Sequence, residues 1–411
     1  MTGSQPSFSI GPSFSIGIEE EYFLVDRDTR DLTKDVPREL IAAFRHDLGK
    51  AFSREYISSQ VEICTPVCAT MSEARTSLQQ SRRQLAEVAN RFGLAPIAAG
   101  THPFAQWGEQ AHTDLPRYNS LADDLQGLGR RMIVNGLHVH VGIETNAERI
   151  RIMNGLRPLL PILLALSTSS PFWEGENTGL KSYRTAVNDS TPRKGMPEVF
   201  ESWQDYQSAV ATLRRAGVIE DGTKIWWDIR PSANFPTLEM RISDVCPLLE
   251  DGLCLAALYR CFCRNLSTST DDRPSALALI AGTAGQHMAL INENRWRAQR
   301  YGTDEGLIDF QTGRVASMAA ILDDVLAAIY DDAVHFDCVA EVEHARTILA
   351  RGTSAHSQVA CYDSLREQGL PVAQALIGVV DQLMNDTVAV GAKAAPKPAS
   401  RHASEAPRPS A

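Results

Sequence analysis

Three consecutive carboxylates sit inside an otherwise apolar stretch, Phe14-Ser15-Ile16-Gly17-Ile18-Glu19-Glu20-Glu21-Tyr22-Phe23-Leu24-Val25. Its β-branched and aromatic residues predict a buried strand, with Asp26-Arg27-Asp28-Thr29 as the turn behind it. Carboxylates buried in a strand are costly unless something neutralises them, so few folds accept this stretch. Side chains alternate across a strand, which puts Glu19 and Glu21 on one face about 6.5–7 Å apart. Phe14, Ile16, Ile18, Tyr22 and Leu24 take the other face. A Glu-x-Glu pair opposite an apolar face suits a hard cation such as Mg²⁺ or Mn²⁺. The competing account is a solvated strand face with unpaired glutamates.

Three further segments repeat the pattern. In Gln60-Val61-Glu62-Ile63-Cys64-Thr65-Pro66, the tail of a strand expected from Tyr56, Gln60 and Glu62 share one face and Val61 and Ile63 the other. In Asn135-Gly136-Leu137-His138-Val139-His140-Val141-Gly142, both imidazoles alternate with aliphatic residues. A merely polar face would usually carry Ser, Thr or Lys instead of two His. Lys224 to Ser232 and Thr237 to Asp244 predict a strand pair around Asn234-Phe235-Pro236, with Glu239 and Arg241 on one face. A carboxylate beside a guanidinium is either a plain salt bridge or a metal ligand next to an anion clamp.

The remaining chain reads as support. Helices are expected over 72–92 with Ser72 as N-cap, and over 147–168, bent by Pro158 and Pro161. Five more are expected over 248–265, 273–294, 315–330, 339–351 and 371–390. Residues 170–200, rich in Gly and Pro and carrying Arg184, Arg193 and Lys194, suit either a cover over an anionic substrate or an ordinary surface loop. His102, alone in a loop, reads as structural. Residues 1–13 read as a flexible leader, and the Ala/Pro/Ser-rich residues 391–411 as a disordered tail.

Bulk properties exclude several classes. A net charge of −10 argues against nucleic acid or an anionic membrane as partner. Arg295, Arg297 and Arg300 are expected on a solvated helix face. The chain has no run of 18 apolar residues and no basic-then-apolar leader, so it is expected to be cytoplasmic with reduced thiols. Cys64-x3-Cys68 and Cys261-x-Cys263 lack the second half a zinc site needs. The apolar periodicity of the helical half would serve a homodimer interface or a monomer core equally well.

Paired in one curved antiparallel sheet, the four segments would form a floor of carboxylate and imidazole able to hold two or more divalent ions. Such a floor suits ATP, whose polyphosphate needs cations. Neither a Gly-x4-Gly-Lys-Ser/Thr loop nor a Gly-x-Gly-x-x-Gly turn is present, which disfavours a P-loop or Rossmann binder.

With Gly17 to Asp26, Gln60 to Pro66, Asn135 to Gly142, and Arg230-Pro231-Ser232 followed by Thr237 to Asp244, the chain resembles the glutamate–cysteine ligase type 2 family over roughly residues 14–385. It is most similar to the YbdK-like carboxylate–amine ligases of the glutamine synthetase superfamily. The resemblance implies an α+β, glutamine-synthetase-like fold: a single catalytic domain over 14–390 whose curved antiparallel sheet is flanked by helices, with a helix-rich C-terminal half. It implies ATP and Mg²⁺, with Mn²⁺ as a substitute, and amino acids as small-molecule substrates. Glutamate would be phosphorylated on its γ-carboxylate and joined to cysteine, although the family fixes carboxylate activation better than it fixes the amine. Position by position, Glu19, Glu21, Glu62, His138 and Glu239 would ligate metal. His140, with Arg230 and Arg184, would contact the nucleotide phosphates. Arg241 and Glu62 would serve catalysis, and Gln60 would lie near the second substrate. Two other readings stay open at this point: a zinc hydrolase built on His138 and His140, and a non-catalytic nucleotide or amino-acid sensor.

Overall fold

A computed structural model describes residues 13–34, 36–270, 272–282 and 287–389. The expected tail, and the expected leader apart from Ser13, lie outside the described residues.

The acidic stretch forms strand β1 (Ile16–Asp26), followed by β2 (Phe52–Arg54), β3 (Gln60–Cys64), β4 (Leu94–Ile97) and β5 (Leu137–Gly142). A small ribbon of β6 (Phe172–Trp173) and β7 (Glu176–Asn177) comes next, then β8 (Ile229–Pro231) and β9 (Thr237–Met240), and a second ribbon of β10 (Leu307–Asp309) and β11 (Arg314–Ala316). The main sheet has seven strands in the spatial order β2-β3-β1-β5-β9-β8, with β4 also pairing β1. Its pairings are antiparallel.

Register decides what meets what. Glu21 stands opposite Glu62, Glu19 opposite His138, His140 opposite Glu239, and Arg230 opposite Glu239. Strict alternation then puts Ile16, Ile18, Val139, Val141, Leu238 and Met240 on the reverse face, all buried in one apolar cluster with the helix Leu249–Ser267. Full burial of each such aliphatic side chain contributes roughly 1.5–3 kcal/mol, which fixes the register. That helix is buried along nearly its whole length, and Cys254, Cys261 and Cys263 within it pack as small apolar groups. Further along β1, Tyr22 and Leu24 join Val61 and Ile63 beneath the helices Arg38–Leu48 and Met71–Asn90.

Several expected elements differ in detail. The strand expected from Tyr56 begins at Gln60. Thr70, not Ser72, caps the helix Met71–Asn90, because Thr70 and Glu73 form a reciprocal capping box. The prolines split 147–168 into Asn146–Leu156 and Leu160–Ser167, 65° apart. The span 273–294 holds two helices, Ala276–Ala281 and Met288–Tyr301, with Gly282 at φ +57° ending the first. The start of 315–330 is strand β11, after which Ser317 caps Met318–Ala328. The helix Ser354–Glu367 was not expected. Arg295 is not on a solvated face: it is buried, held by Asp228 at 2.6 Å and Asp189 at 2.7 Å. No single helix among the described residues is long and apolar enough to cross a membrane.

Candidate active site

The polar face of the sheet floors a cavity of about 380 Å³. Glu19 lines it and bridges both imidazoles: one carboxylate oxygen is 3.2 Å from His138 Nδ1 and the other 3.2 Å from His140 Nε2. His140 Nδ1 is 2.9 Å from Thr237 Oγ1, which fixes the ring. Glu21 accepts a 2.5 Å hydrogen bond from the Gly136 amide and lies 3.8 Å from His138 Nε2. On β9, Glu239 is only 2% exposed and is gripped by Arg230 at 2.8 and 3.1 Å and by Arg241. Arg241 Nη1 also stands 3.3 Å from His138 Nδ1.

Two electrostatic regions result. In the first, Glu19 and Glu239 stay ionised: although burial opposes charge, His138 and His140 hold Glu19 well below the usual carboxylate range, and Arg241 does the same for Glu239. His140 is raised despite its burial, chiefly by its contact with Glu19, whereas burial and then Arg241 lower His138. In the second, Glu62 meets like charge. Burial raises its pKa well above normal, and Glu19, Glu55 and Glu21 push it further. Glu55, pushed up to about 7 by enclosure and by Glu21, shares that end of the cavity. Half-buried acids that repel one another are an arrangement completed by a cation.

The donor geometry agrees. Glu19, His138 and Glu239 each offer a ligand atom within 4.8 Å of the others, as do Glu21, Glu62 and His138. Each set has two carboxylates and one imidazole, a hard, oxygen-rich environment suited to Mg²⁺ or Mn²⁺. Among the described residues no second imidazole and no thiolate joins either set, so the donor pattern of a typical zinc hydrolase does not form.

All the sequence-expected residues face this one cavity: Glu19, Glu21, Glu62, His138, His140, Glu239, Arg241, Arg230 and Arg184 line it, and so does Gln60. Gln60 is locked by bonds of 2.8 Å to Val134 O and 2.7 Å to Asn135 Oδ1. Arg184 sits on the short helix Tyr183–Asp189 and donates to the carbonyls of Ile242 (3.1 Å) and Arg241 (3.0 Å). The region 170–200 is therefore partly ordered into ribbon and helix and supplies one cavity wall. His102 is structural: its Nε2 is 2.9 Å from Arg30 O, and its Nδ1 accepts from the amides of Phe104 and Ala105. Sequence reasoning missed Glu55 and did not single out Lys194 among the loop cations. Glu55 precedes β3 outside its alternation, and Lys194 lies in an irregular segment, so neither carries a periodic signal.

The sequence profile of glutamate-cysteine ligase family 2 matches residues 15–374. Two relatives provisionally named glutamate–cysteine ligase 2, from Rhodospirillum rubrum and Jannaschia sp., are 51% and 46% identical to this chain. The matches span 94% and 91% of this chain and 99% and 96% of the relatives. Among solved structures, a glutamate–cysteine ligase from Francisella tularensis in complex with AMP aligns with a TM-score of 0.63 at 12% identity, over 93% of this chain and 91% of that one. A bifunctional glutathione synthetase from Pasteurella multocida aligns with a TM-score of 0.63 at 15% identity, over 91% of this chain but 52% of the synthetase. At such identities the likeness establishes the fold, which this chain shares with those two proteins. With the profile match and the full-length relatives, the chain belongs to glutamate-cysteine ligase family 2.

Proposed function

We propose that this protein is an ATP-dependent carboxylate–amine ligase that joins the γ-carboxylate of L-glutamate to the amino group of L-cysteine, giving γ-glutamylcysteine, ADP and phosphate. One observation carries the reading: Glu19, Glu21, Glu62, His138 and Glu239 converge from four strands of one antiparallel sheet, with Arg241 directly after β9, onto a single cavity. Residues 14–390 act as one catalytic domain, and the reaction is placed in the cytoplasm, where the eight free thiols stay reduced.

A carboxylate is a poor electrophile, so it must first be activated. Its oxygen attacks the γ-phosphorus of ATP, the bond to the ADP oxygen breaks, and an acyl phosphate forms. The neutral amine then attacks the acyl carbon, phosphate leaves with the C–O electron pair, and the nitrogen sheds one proton. Glu19, Glu21, Glu62, His138 and Glu239 would hold magnesium, which supplies charge neutralisation where one anion approaches another. His140, Arg230 and Arg184 orient the nucleotide phosphates. Arg241, tethered by Glu239, presents its guanidinium to the transferring phosphoryl group, and Glu62 fixes the charge balance at the acid's end of the floor.

ADP release, measured against a panel of carboxylates and amines in Mg²⁺ and in Mn²⁺, tests this. Release is expected to require glutamate and cysteine together. No release with any pair would remove the ligase reading, whereas release with another amine would keep ligation and change the second substrate.

A further inference from the structure

Lys194 has no part in the scheme above, yet it is held in the cavity wall by a specific framework. Backbone bonds secure both of its neighbours: Trp226 N donates to Arg193 O (2.9 Å) and Asp228 N donates to Gly195 O (2.8 Å). The side chain lies with Nζ 5.8 Å from the centroid of the Trp226 ring and 3.0 Å from Asn188 Oδ1. Among the described residues that amide oxygen is its only hydrogen-bond partner, and no carboxylate pairs with it.

The acids around it are engaged elsewhere. Asp228 and Asp189 both bind Arg295, at 2.6 and 2.7 Å, and Glu21 accepts from Gly136. The nearby cations have protein partners as well as the phosphate roles given above, Arg184 donating to backbone carbonyls and Arg241 to Glu239. Burial, followed by Arg241 and Arg184, pushes the Lys194 ammonium down to about 7. A recessed ammonium with one neutral partner and cationic neighbours is suited to receive an anion from outside the protein. The charges around it are those of Arg241, Arg184, Glu21 and Asp228. Of the residues read as phosphate contacts, Arg184 is among these neighbours, whereas His140 and Arg230 lie beside Glu19 and Glu239.

We propose that Lys194, oriented by Asn188, binds the carboxylate of the amino-acid substrate that is not activated, the α-carboxylate when the acid is glutamate. This rests on the ligase reading above and adds to it the requirement that the acid substrate carry a second carboxylate.

Lys194→Met keeps the length of the side chain and removes its charge. The probes are L-glutamate and 4-aminobutyrate, which keeps the reacting carboxylate and the amine but lacks the α-carboxylate. Binding of each, and of ATP, is measured by calorimetry with the full-length chain. Lys194→Met should weaken L-glutamate about ten- to hundredfold, leave 4-aminobutyrate and ATP binding unchanged, and be partly rescued by Lys194→Arg. Asn188→Ala should act in the same selective direction with a smaller effect, and it decides the matter if Lys194→Met does not fold. Equal weakening of both probes, unchanged glutamate binding, or a selective loss of ATP would overturn the proposal. So would a wild-type protein that binds 4-aminobutyrate as tightly as L-glutamate. Because binding is read without turnover, absence of ADP release would count against the ligase reading alone.

Discussion

Arg82 grips Glu20 from the side of the sheet opposite the acidic floor, its Nε 2.9 Å from one carboxylate oxygen and its Nη2 2.5 Å from the other. Glu20 is fully buried, and the Tyr22 hydroxyl also donates to it. Arg82 comes from the helix Met71–Asn90 and donates as well to the carbonyls of Pro247 (2.5 Å) and Cys246 (2.9 Å). The middle member of the glutamate triplet is therefore neutralised in the core, which lets Glu19 and Glu21 turn toward the cavity. Removing one partner leaves the other as an unpaired buried charge. Arg82→Met or Glu20→Gln should each cost about 3–5 kcal/mol, and the double substitution less than their sum. Urea unfolding at pH 7 measures all three; additive losses would show that the two groups do not act as a pair.

Glu62→Gln should separate stability from activity. The neutral amide relieves the repulsion from Glu19, Glu55 and Glu21, so the metal-free variant should gain about 1 kcal/mol. It should also lose about 10²–10³-fold in ADP release, the size seen when one pre-organised electrostatic group is removed from a site. Adding Mg²⁺ should raise the melting temperature of the wild type more than that of the variant, since only a ligand bound by the folded state stabilises it. Equal Mg²⁺-induced shifts would place the metal away from Glu62.

The four strand faces were legible because a period of two is written locally: Glu19/Glu21, Gln60/Glu62, His138/His140 and Glu239/Arg241 each declare a shared side within three residues. Their convergence needed only antiparallel pairing in a common register. What the sequence hid depends on distant partners. Arg82 reads as one more polar position on an amphipathic helix, and only the fold brings it to Glu20. Arg295 looks solvated beside Arg297 and Arg300 until Asp189 and Asp228, each more than sixty positions away, close over it. Helix ends were misplaced where apolar periodicity runs on through a breaker, as at Gly282, or into a strand, as at β11.

Gly136 precedes β5, where the backbone passes close to two site residues. A Cβ added there would lie 2.3 Å from Arg184 Nη2 and 3.1 Å from His138 Nε2. Gly136→Ala should therefore displace Arg184, cost about 1–3 kcal/mol, and lower kcat/KM for ATP by at least about tenfold. Adding Arg184→Ala removes the clashing atom. The double variant should regain stability toward that of Arg184→Ala alone without regaining activity. Melting curves and initial rates on the four proteins check both halves; a fully active Gly136→Ala would mean that Arg184 does not contact the nucleotide.

His102 should set part of the acid limit of stability. Its ring is fully buried, and burial lowers its pKa to about 4 against the opposing contact with Arg30 O; Nδ1 meanwhile accepts from the amides of Phe104 and Ala105. In the unfolded chain the same ring titrates near its ordinary value of about 6.5. Between these values the unfolded state holds more protons than the folded state, so stability rises with pH across that window. The contribution is fully present above about 6.5 and is lost as pH falls toward 4. Its size is about 1.4 kcal/mol by pH 5.5, one unit below the unfolded pKa. His102→Asn keeps an acceptor for the two amides but does not titrate. It should start less stable than the wild type at pH 7.5 and lose about 1.4 kcal/mol less on acidification to 5.5. Urea unfolding at the two pH values measures the difference, and parallel losses in the two proteins would show that the ring takes up its proton in the folded state as readily as in the unfolded one.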